Sequence, residues 1–386
     1  WATEEHQVCV VDTAGHILGE KAVRHTGEAL GELCGWLFEL ADGDAGTVHI
    51  AIEVPHGAVV ETLLERGFAV NAINPKQLDR FRDRHTTAGA KDDRKDAYVL
   101  ADSLRTDGHL FRRLKLDEPS IIELRQWSRM ADELQQERVR LSNRVREQLR
   151  RYYPQALKIP APVWTEWFIA VWEAAPTPGK ARRIRENTVA KILKSHRIRK
   201  VDGITVLDVL RQPAVVVAPG TEEAATAHLR LLFARLRLVN DQLKECHNNL
   251  DELCEIVSAP AAPKEDQGQE CEQRDGEILR SLPGVGRIVL ATLLSEASQP
   301  LGERDYHTLR ALTGVAPVTR RSGKKCVVVM RKACHTRLRA AMYHWARVAV
   351  QRDQLSQSKY AELRKRGHSH GRALRGVAER LHTVAC

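Results

Sequence analysis

The sequence predicts an α/β domain at the N-terminus, then a long helical region, then a mainly α-helical C-terminal domain. Three observations predict this order. Short apolar runs alternate with helical patterns over 7–112, heptad-spaced apolar residues recur over 120–150 and 229–257, and helical patterns dominate from 277 onward. The resulting domain boundaries are 1–115, 116–258 with an insertion near 154–225, a linker at 259–276, and 277–386.

The N-terminal domain begins with a predicted hairpin. An apolar strand over Val8–Val11 meets a turn signal at 12–15, and 17–24 returns as its partner. Thr26 is a helix cap. Further strands are expected at 48–52 and 68–73, and helices at 59–66 and 93–104. A hairpin followed by βα units predicts a mixed sheet with flanking helices.

Two long helices are predicted in the middle region. Leu124, Trp127 and Ala131 open a heptad pattern that ends near Pro154, and a second pattern runs from Leu229 to Val257. The second pattern is typical of a coiled-coil seam. These helices pair with each other or with a second subunit, or they form an ordinary buried helix hairpin. The sequence indicates no role for the insertion, although extra RNA contact and dimer packing are options.

The charge balance favours a polyanion as partner. Lys plus Arg total 60 against 50 for Asp plus Glu, so the net charge is +10 and the pI is about 9.3. Aromatic content is only 5%, which argues against a single-strand binder built on base stacking.

The eight cysteines form no CxxC pair, so the sequence predicts neither a disulfide framework nor a zinc site, and a reducing cytoplasm is expected. We interpret the neighbouring Cys334 and His335 as accidental. The sequence has no signal peptide and no apolar run of the length that spans a membrane.

Three acidic residues are candidate metal ligands. Glu53 ends an otherwise apolar strand, and Asp93 and Asp96 are three residues apart at a helix start, on one face. Carboxylates in this pattern suit Mg²⁺, which prefers oxygen ligands. Asp92 is expected to be a helix cap or a solvated charge. From spacing alone, an ordinary charged helix start is the more common explanation.

A Pro-Gly-Val-Gly turn lies between two helical patterns at 281–286. Backbone N–H groups near Gly284 and Gly286 would face a DNA phosphate at the positive end of the second helix dipole. The turn is similar to the helix-hairpin-helix motif, which binds duplex backbone. The alternative is a tight helix–helix turn that binds nothing.

Ser322 is the candidate nucleophile, in a flexible Ser-Gly step. Cations beside it would hold a phosphodiester and stabilise charge growing on its oxygens. These cations are Arg320, Arg321, Lys324 and Lys325. A serine hydroxyl needs an activator, for which the acidic metal cluster is a candidate. The alternative is an ordinary serine in a basic DNA-contacting turn.

Taken together, these segments resemble the DEDD-type transposases of bacterial insertion sequences, which are bridge-RNA-guided recombinases. The order and rough separation of several stretches carry the resemblance. They are Ala51-Ile52-Glu53, Asn74-Pro75, 91–97 (KDDRKDA), 282–286 (LPGVG), 313–317 (TGVAP) and Arg321-Ser322-Gly323.

The resemblance implies a RuvC-like (ribonuclease H-like) N-terminal domain, a coiled-coil middle and a C-terminal transposase domain. It implies that Glu53, Asp93 and Asp96 are three of four Mg²⁺-binding acids and that Ser322 forms a phosphoserine link to DNA. The expected partners are donor and target DNA, a noncoding bridge-type RNA and further copies of the chain, as a dimer or tetramer. The expected location is the bacterial cytoplasm, at the nucleoid when active.

The fourth acid is expected upstream of Trp1, because in the family it lies on the first strand, just before a stretch like Trp1-Ala2-Thr3. Asp12 is a poor substitute, since it falls at the hairpin turn. Two other functions stay open: a RuvC-like metal-dependent nuclease in which Ser322 is idle, and a nucleic-acid-binding protein with no enzymatic activity.

Overall fold

A computed structural model describes residues 4–73, 75–85, 92–259, 275–323 and 325–385. The chain forms two compact units, Trp1–Glu118 (unit 1) and Pro119–Cys386 (unit 2). Most of the predicted linker lies outside the described residues, as do Asn74, Lys91 and Lys324.

Unit 1 combines short strands with four helices among its described residues. In chain order these elements are β1 (Glu5–Val11), β2 (Ile17–Arg24), α1 (Gly27–Leu40), β3 (His49–Ile52), α2 (Ala58–Glu65), β4 (Ala69–Ala72), α3 (Pro75–His85), α4 (Asp93–Asp107) and β5 (Arg112–Arg113). The predicted strands and helices of this domain are confirmed, including the Thr26 cap, whose hydroxyl accepts from the Ala29 N–H at 3.2 Å.

The strands of unit 1 form two sheets in the described part of the chain, whereas the sequence predicts one mixed sheet. β1 and β2 form an antiparallel hairpin. β3 pairs in parallel with β4, and β5 pairs with β4 in the antiparallel sense. A cavity of about 1330 Å³ is lined by residues of both β1 and β3.

Helix α3 was not predicted. Asn74-Pro75 directly follows the predicted strand at 68–73, where a break and no helix is expected, but α3 begins at Pro75. Proline suits the first helical turn, because its missing N–H would have no partner there. Leu78 and Phe81 of α3 are buried with Val99 of α4, and this packing places α3 beside the candidate acids.

Unit 2 is helical apart from one hairpin, as far as its described residues extend. Its elements are α5 (Pro119–Tyr152), α6 (Glu166–Ala174), α7 (Pro178–Arg183), α8 (Glu186–Ser195), α9 (Gly203–Leu210), α10 (Thr221–Ser258), α11 (Asp275–Ser281), α12 (Arg287–Glu296), α13 (Ser298–Gly302), α14 (Tyr306–Leu312), β6 (Val318–Ser322), β7 (Lys325–Val329), α15 (Thr336–Arg352), α16 (Gln354–Lys365) and α17 (His370–Ala385). No helix among the described residues has the length and apolar character needed to cross a membrane.

The two long helices α5 and α10 pack along each other within the chain. Most of their heptad residues are buried, and Leu141, Leu236 and Leu250 are fully buried. An ion pair between Arg235 and Glu137 (3.0 Å) joins the two helices at the surface. The two long helices therefore pair with each other within the chain. Their coiled-coil geometry and any pairing with a second subunit stay predictions.

Residues 154–225 form a small helical subdomain, here called the insert, on one end of the α5–α10 pair. Trp172 of α6 packs against Phe233 of α10, with ring centroids 4.9 Å apart, and donates to the Tyr152 hydroxyl at 3.1 Å. Tyr152 in turn donates to the Pro176 carbonyl at 2.8 Å. The insert therefore shares a continuous apolar core with the long helices.

A buried carboxylate joins the long helix α5 to the C-terminal helices. Glu296, at the end of α12, accepts two hydrogen bonds of 2.9 Å from Arg129 and one from Arg337, and its side chain is 4% exposed. Burial alone would raise the pKa of Glu296, but Arg129, His335 and Arg337 hold it below its ordinary value. Arg337 also donates to the Ser128 hydroxyl at 2.8 Å.

A pH-dependent loss of stability is expected from His382. Its ring is fully buried, and neither nitrogen has a hydrogen-bond partner in the described part of the chain. Burial, and secondarily the Arg310 charge, lowers the pKa of His382 to about 4. The unfolded chain, with a histidine pKa near 6.5, therefore binds more protons between those values, and stability falls as the pH drops through that window.

Between pH 7 and pH 5 we expect His382 to account for about 2 kcal/mol of lost unfolding free energy. Urea unfolding at both pH values checks this, comparing wild type with His382→Leu and with a control at the exposed His344, His344→Gln. An unchanged pH dependence in His382→Leu would contradict the assignment.

Candidate active-site and nucleic-acid-binding residues

The acidic candidates lie on two elements of unit 1. Glu53 directly follows β3 and is half-buried, while Asp93 and Asp96 occupy the first turn of α4. All three residues line the same cavity of about 1330 Å³. Asp92 caps α4, since its carboxylate accepts the Arg94 N–H at 3.1 Å, which confirms its predicted role as a cap.

Arg82 of α3 lines the same cavity as these acids. It was not predicted, because α3 itself was not predicted. Its guanidinium donates to both carboxylate oxygens of Asp96, at 2.7 and 2.9 Å. Burial lowers the pKa of Arg82, but the hydrogen bonds and charge of Asp96, with the charges of Asp79 and Glu53, outweigh burial and raise it. The acidic cluster therefore already attracts and holds a cation.

The donor set is chemically suited to a hard divalent cation, because it consists of carboxylate oxygens. Within the described residues, no three His, Cys, Asp or Glu side chains are gathered closely enough to hold a metal ion. The Arg82 guanidinium, rather than a metal ion, is bound to the carboxylate of Asp96. A metal would have to displace Arg82 from that carboxylate.

Asp12 has a local structural role in the hairpin turn. Its carboxylate accepts the N–H groups of Ala14 (2.9 Å) and His16 (2.8 Å). These bonds, the one from the His16 backbone first, lower the pKa of Asp12. This agrees with the expectation that Asp12 is a poor substitute for the fourth acid.

The Pro-Gly-Val-Gly turn lies between α11 and α12, as predicted, but its two glycines differ. Gly284 has φ +88°, and a Cβ built there would lie 2.8 Å from the backbone nitrogen of Ala349 on α15. The Trp345 ring nitrogen also donates to the Pro283 carbonyl at 3.0 Å. Gly286 is exposed at the N-terminus of α12, and a Cβ there would meet nothing within 4 Å.

Ser322 lies at the tip of a hairpin, not in an irregular loop. It is the last residue of β6 and pairs with Lys325, the first residue of β7. The turn between them contains Gly323, with φ +53°. Ser322 is exposed, and this hairpin was not predicted because the VTRRS strand β6 shows no apolar alternation.

The strand register sorts the cations around Ser322. Side chains alternate between the faces of a strand, and directly paired residues share a face. Arg320 and Lys325 therefore lie on the face of Ser322, whereas Arg321 and its partner Cys326 lie on the opposite face. Of the predicted phosphate-binding residues, Arg320 and Lys325 are placed to act beside Ser322.

The fold and its candidate residues define a class: a nucleic-acid enzyme with an acidic site in a small α/β unit and a basic, serine-tipped hairpin in a helical unit. Residues 1–154 match a family described as Transposase, of the DEDD type, and residues 276–361 match the Transposase IS116/IS110/IS902 family.

Curated relatives agree with these matches. The chain is 31% identical to a mini-circle putative transposase for IS117 of Streptomyces coelicolor over 395 residues, covering 99% of this chain and 90% of that protein. It is 55% identical over 203 residues to the putative transposase y4uE of Sinorhizobium fredii, covering 52% of this chain and only 56% of that protein. An insertion element IS900 uncharacterized 42 kDa protein of Mycobacterium paratuberculosis is 25% identical over 394 residues, covering 98% of this chain and 92% of that protein. The chain belongs to the IS116/IS110/IS902 family of insertion-sequence transposases.

The two glycines of the turn offer a matched test. Gly284→Ala should lower the unfolding free energy by more than about 1 kcal/mol, because the new methyl group meets α15 and the positive φ is strained. Gly286→Ala should leave stability within about 0.5 kcal/mol. Denaturant unfolding of both variants checks this, and equal losses of stability would contradict the distinct roles.

Replacing Arg82 should change how the protein responds to Mg²⁺. Arg82→Gln frees Asp96 from its guanidinium, so added Mg²⁺ should raise Tm more in this variant than in wild type. The control is Arg84→Gln on the same helix, whose side chain pairs with Asp107 (2.8 Å) instead. Thermal unfolding with and without Mg²⁺ measures the effect, and equal shifts in all three proteins would contradict it.

Proposed function

We propose that this protein cuts and rejoins the DNA of an insertion sequence by transesterification through Ser322. The observation that carries the proposal is the exposed position of Ser322 at a hairpin tip, with Arg320 and Lys325 on the same face. Two cations beside a hydroxyl suit the binding of a phosphodiester and the stabilisation of charge in its transition state.

The proposed reaction needs neither an oxidant nor an external energy source, because each step exchanges one phosphate ester bond for another. The Ser322 oxygen attacks a DNA phosphorus, its proton passes to a base, and one phosphorus–oxygen bond of the strand breaks as the leaving oxygen gains a proton. In the second step a free DNA hydroxyl attacks the phosphoserine, and Ser322 regains its proton. One ester bond replaces another in each step.

Glu53, Asp93 and Asp96 are the proposed ligands for Mg²⁺, in an arrangement closer than the described one, in which no three such side chains are gathered tightly enough to hold a metal ion. When bound there, Mg²⁺ would supply charge neutralisation on phosphate oxygens. Arg82 would then release Asp96 and become available to a DNA phosphate. From the resemblance to the family, we propose that these acids and Ser322 act together in an assembly of two or four chains on nucleic acid.

Choice of DNA site is proposed to rest on a noncoding RNA of the element, paired with donor and target strands. The resemblance of the ordered motifs supports this part of the proposal. The protein itself would then contact backbone and shape, as expected of a turn such as 281–286 and a basic hairpin.

A covalent adduct tests the serine chemistry. The full chain is incubated with element-end DNA, Mg²⁺ and the RNA transcribed from the element, then denatured and resolved by gel. Wild type should retain labelled DNA, Ser322→Ala should retain none, and the control Thr319→Ala, an exposed hydroxyl on the opposite face of β6, should behave as wild type.

Cleavage without an adduct in Ser322→Ala, at the rate of wild type, would show a nuclease in which Ser322 is idle. Adduct formation by wild type without RNA would overturn the RNA dependence while leaving the serine chemistry intact.

A further inference from the structure

One short segment of the insert is strongly basic. Residues 178–200 contain nine Lys and Arg against a single acid, Glu186, which gives the segment a charge of +8. Residues 319–339, which include the Ser322 hairpin, are basic to the same degree, with eight Lys and Arg and no acid. Such a concentration requires a local explanation, because an ordinary solvated surface mixes both signs.

The first part of the segment is anchored by apolar residues that direct its cations outward. Ala181 of α7 is fully buried, and Ile184 packs against the core shared with the long helices. Arg182, Arg183 and Arg185, which alternate with these anchors, are exposed.

Helix α8 continues the same arrangement. Val189 and Leu193 are buried against the core. Lys191 and Lys194 are exposed, and at 100° per residue both lie on the side of α8 opposite its buried face.

The loop after α8 presents three more cations. Ile198 packs against the core, whereas Arg197, Arg199 and Lys200 are exposed. Arg197 has φ +56° and closes α8, with the Ile198 N–H donating to the Leu193 carbonyl at 2.9 Å. Glycine is the usual residue at this left-handed position, so an arginine there retains a cation at the cost of backbone strain.

Among the described residues, these cations have no acidic partner. In the described part of the chain, none of the Lys or Arg side chains of 178–200 forms an ion pair or a side-chain hydrogen bond. Elsewhere in unit 2 such pairs are common: Arg237 of α10 binds Glu166 (3.0 Å) and Glu173 (2.7 Å). The cations of the segment are therefore available to a polyanion.

We propose that segment 178–200 docks on the phosphate backbone of duplex DNA, as a contact separate from the Ser322 hairpin and the 281–286 turn. The segment contains no Phe, Trp or Tyr, so it offers no platform for stacking single-stranded bases. The choice of DNA rests on the proposed function as a transposase, and the phosphate chemistry rests on the unpaired cations.

The test is a salt titration of duplex binding by the full chain. The variant Lys194→Gln/Arg197→Gln/Arg199→Gln is compared with Arg144→Gln/Arg230→Gln/Lys244→Gln, which removes one lysine and two arginines that are exposed on α5 and α10. The probe is a mixed-sequence 30-base-pair DNA duplex. Each lost phosphate contact should make the slope of log K against log salt shallower by about 0.9.

We expect the segment variant to lose about two to three units of slope and to bind about tenfold or more weakly near 0.1 M salt, relative to the control variant. Arg197→Gly gives a second arm. Glycine relieves the positive φ, so Tm should stay or rise while the slope falls by about one unit. An unchanged or higher Tm together with a shallower slope excludes misfolding as the cause of the weaker salt dependence.

Slopes that fall equally in the segment and control variants would overturn the proposal. A slope lost only on an RNA duplex or on single-stranded RNA would overturn the assignment to DNA. The Ser322 adduct assay keeps the two proposals separable. If the slope falls in the segment variant but wild type forms no adduct, the serine chemistry fails and the docking proposal stands. If wild type forms the adduct on short DNA but the slopes fall equally in both variants, the docking proposal fails and the serine chemistry stands.

Discussion

The ion cluster around Glu296 is the interaction on which unit 2 depends. The carboxylate is buried between Arg129 of α5 and Arg337 of α15, at the end of α12, beside the apolar core that these three helices share. Removing one partner from such a cluster leaves an uncompensated charge in a low dielectric, which costs several kcal/mol. The cluster thereby attaches the C-terminal helices to the long helix α5, and those helices carry the 281–286 turn and the hairpin.

The candidate residues divide between the units in a way that matters for chemistry. In unit 1 the carboxylate of Asp96 is held by Arg82, and the neighbouring acids raise the pKa of that guanidinium. In unit 2, Ser322 has cations on its face but no histidine or carboxylate paired with it among the described residues. The proposed chemistry therefore needs a base for the Ser322 proton from outside this hairpin.

Local signals made much of the fold predictable. Thr26 identifies the start of α1, and the heptad residues of α10 identify a helix of 38 residues, because caps and apolar periodicity act over a few neighbours. The same local view failed at Asn74-Pro75, where proline begins a helix, and at the hairpin that ends in Ser322, whose VTRRS strand has no apolar alternation. Arg82 was not predicted, because it lies on the helix that begins at Pro75.

The sequence by itself determined the order of the motifs, and with it the resemblance to the family and the candidate residues Glu53, Asp93, Asp96 and Ser322, because short patterns that are ambiguous singly become specific in combination. Only the tertiary structure decided which residues share a site. The placement of Arg82 on Asp96, the approach of Gly284 to α15, and the sorting of Arg320 from Arg321 depend on helix packing or strand register. The first two contacts join residues of different helices, and the third depends on how two strands pair, so no pattern within a single element encodes them.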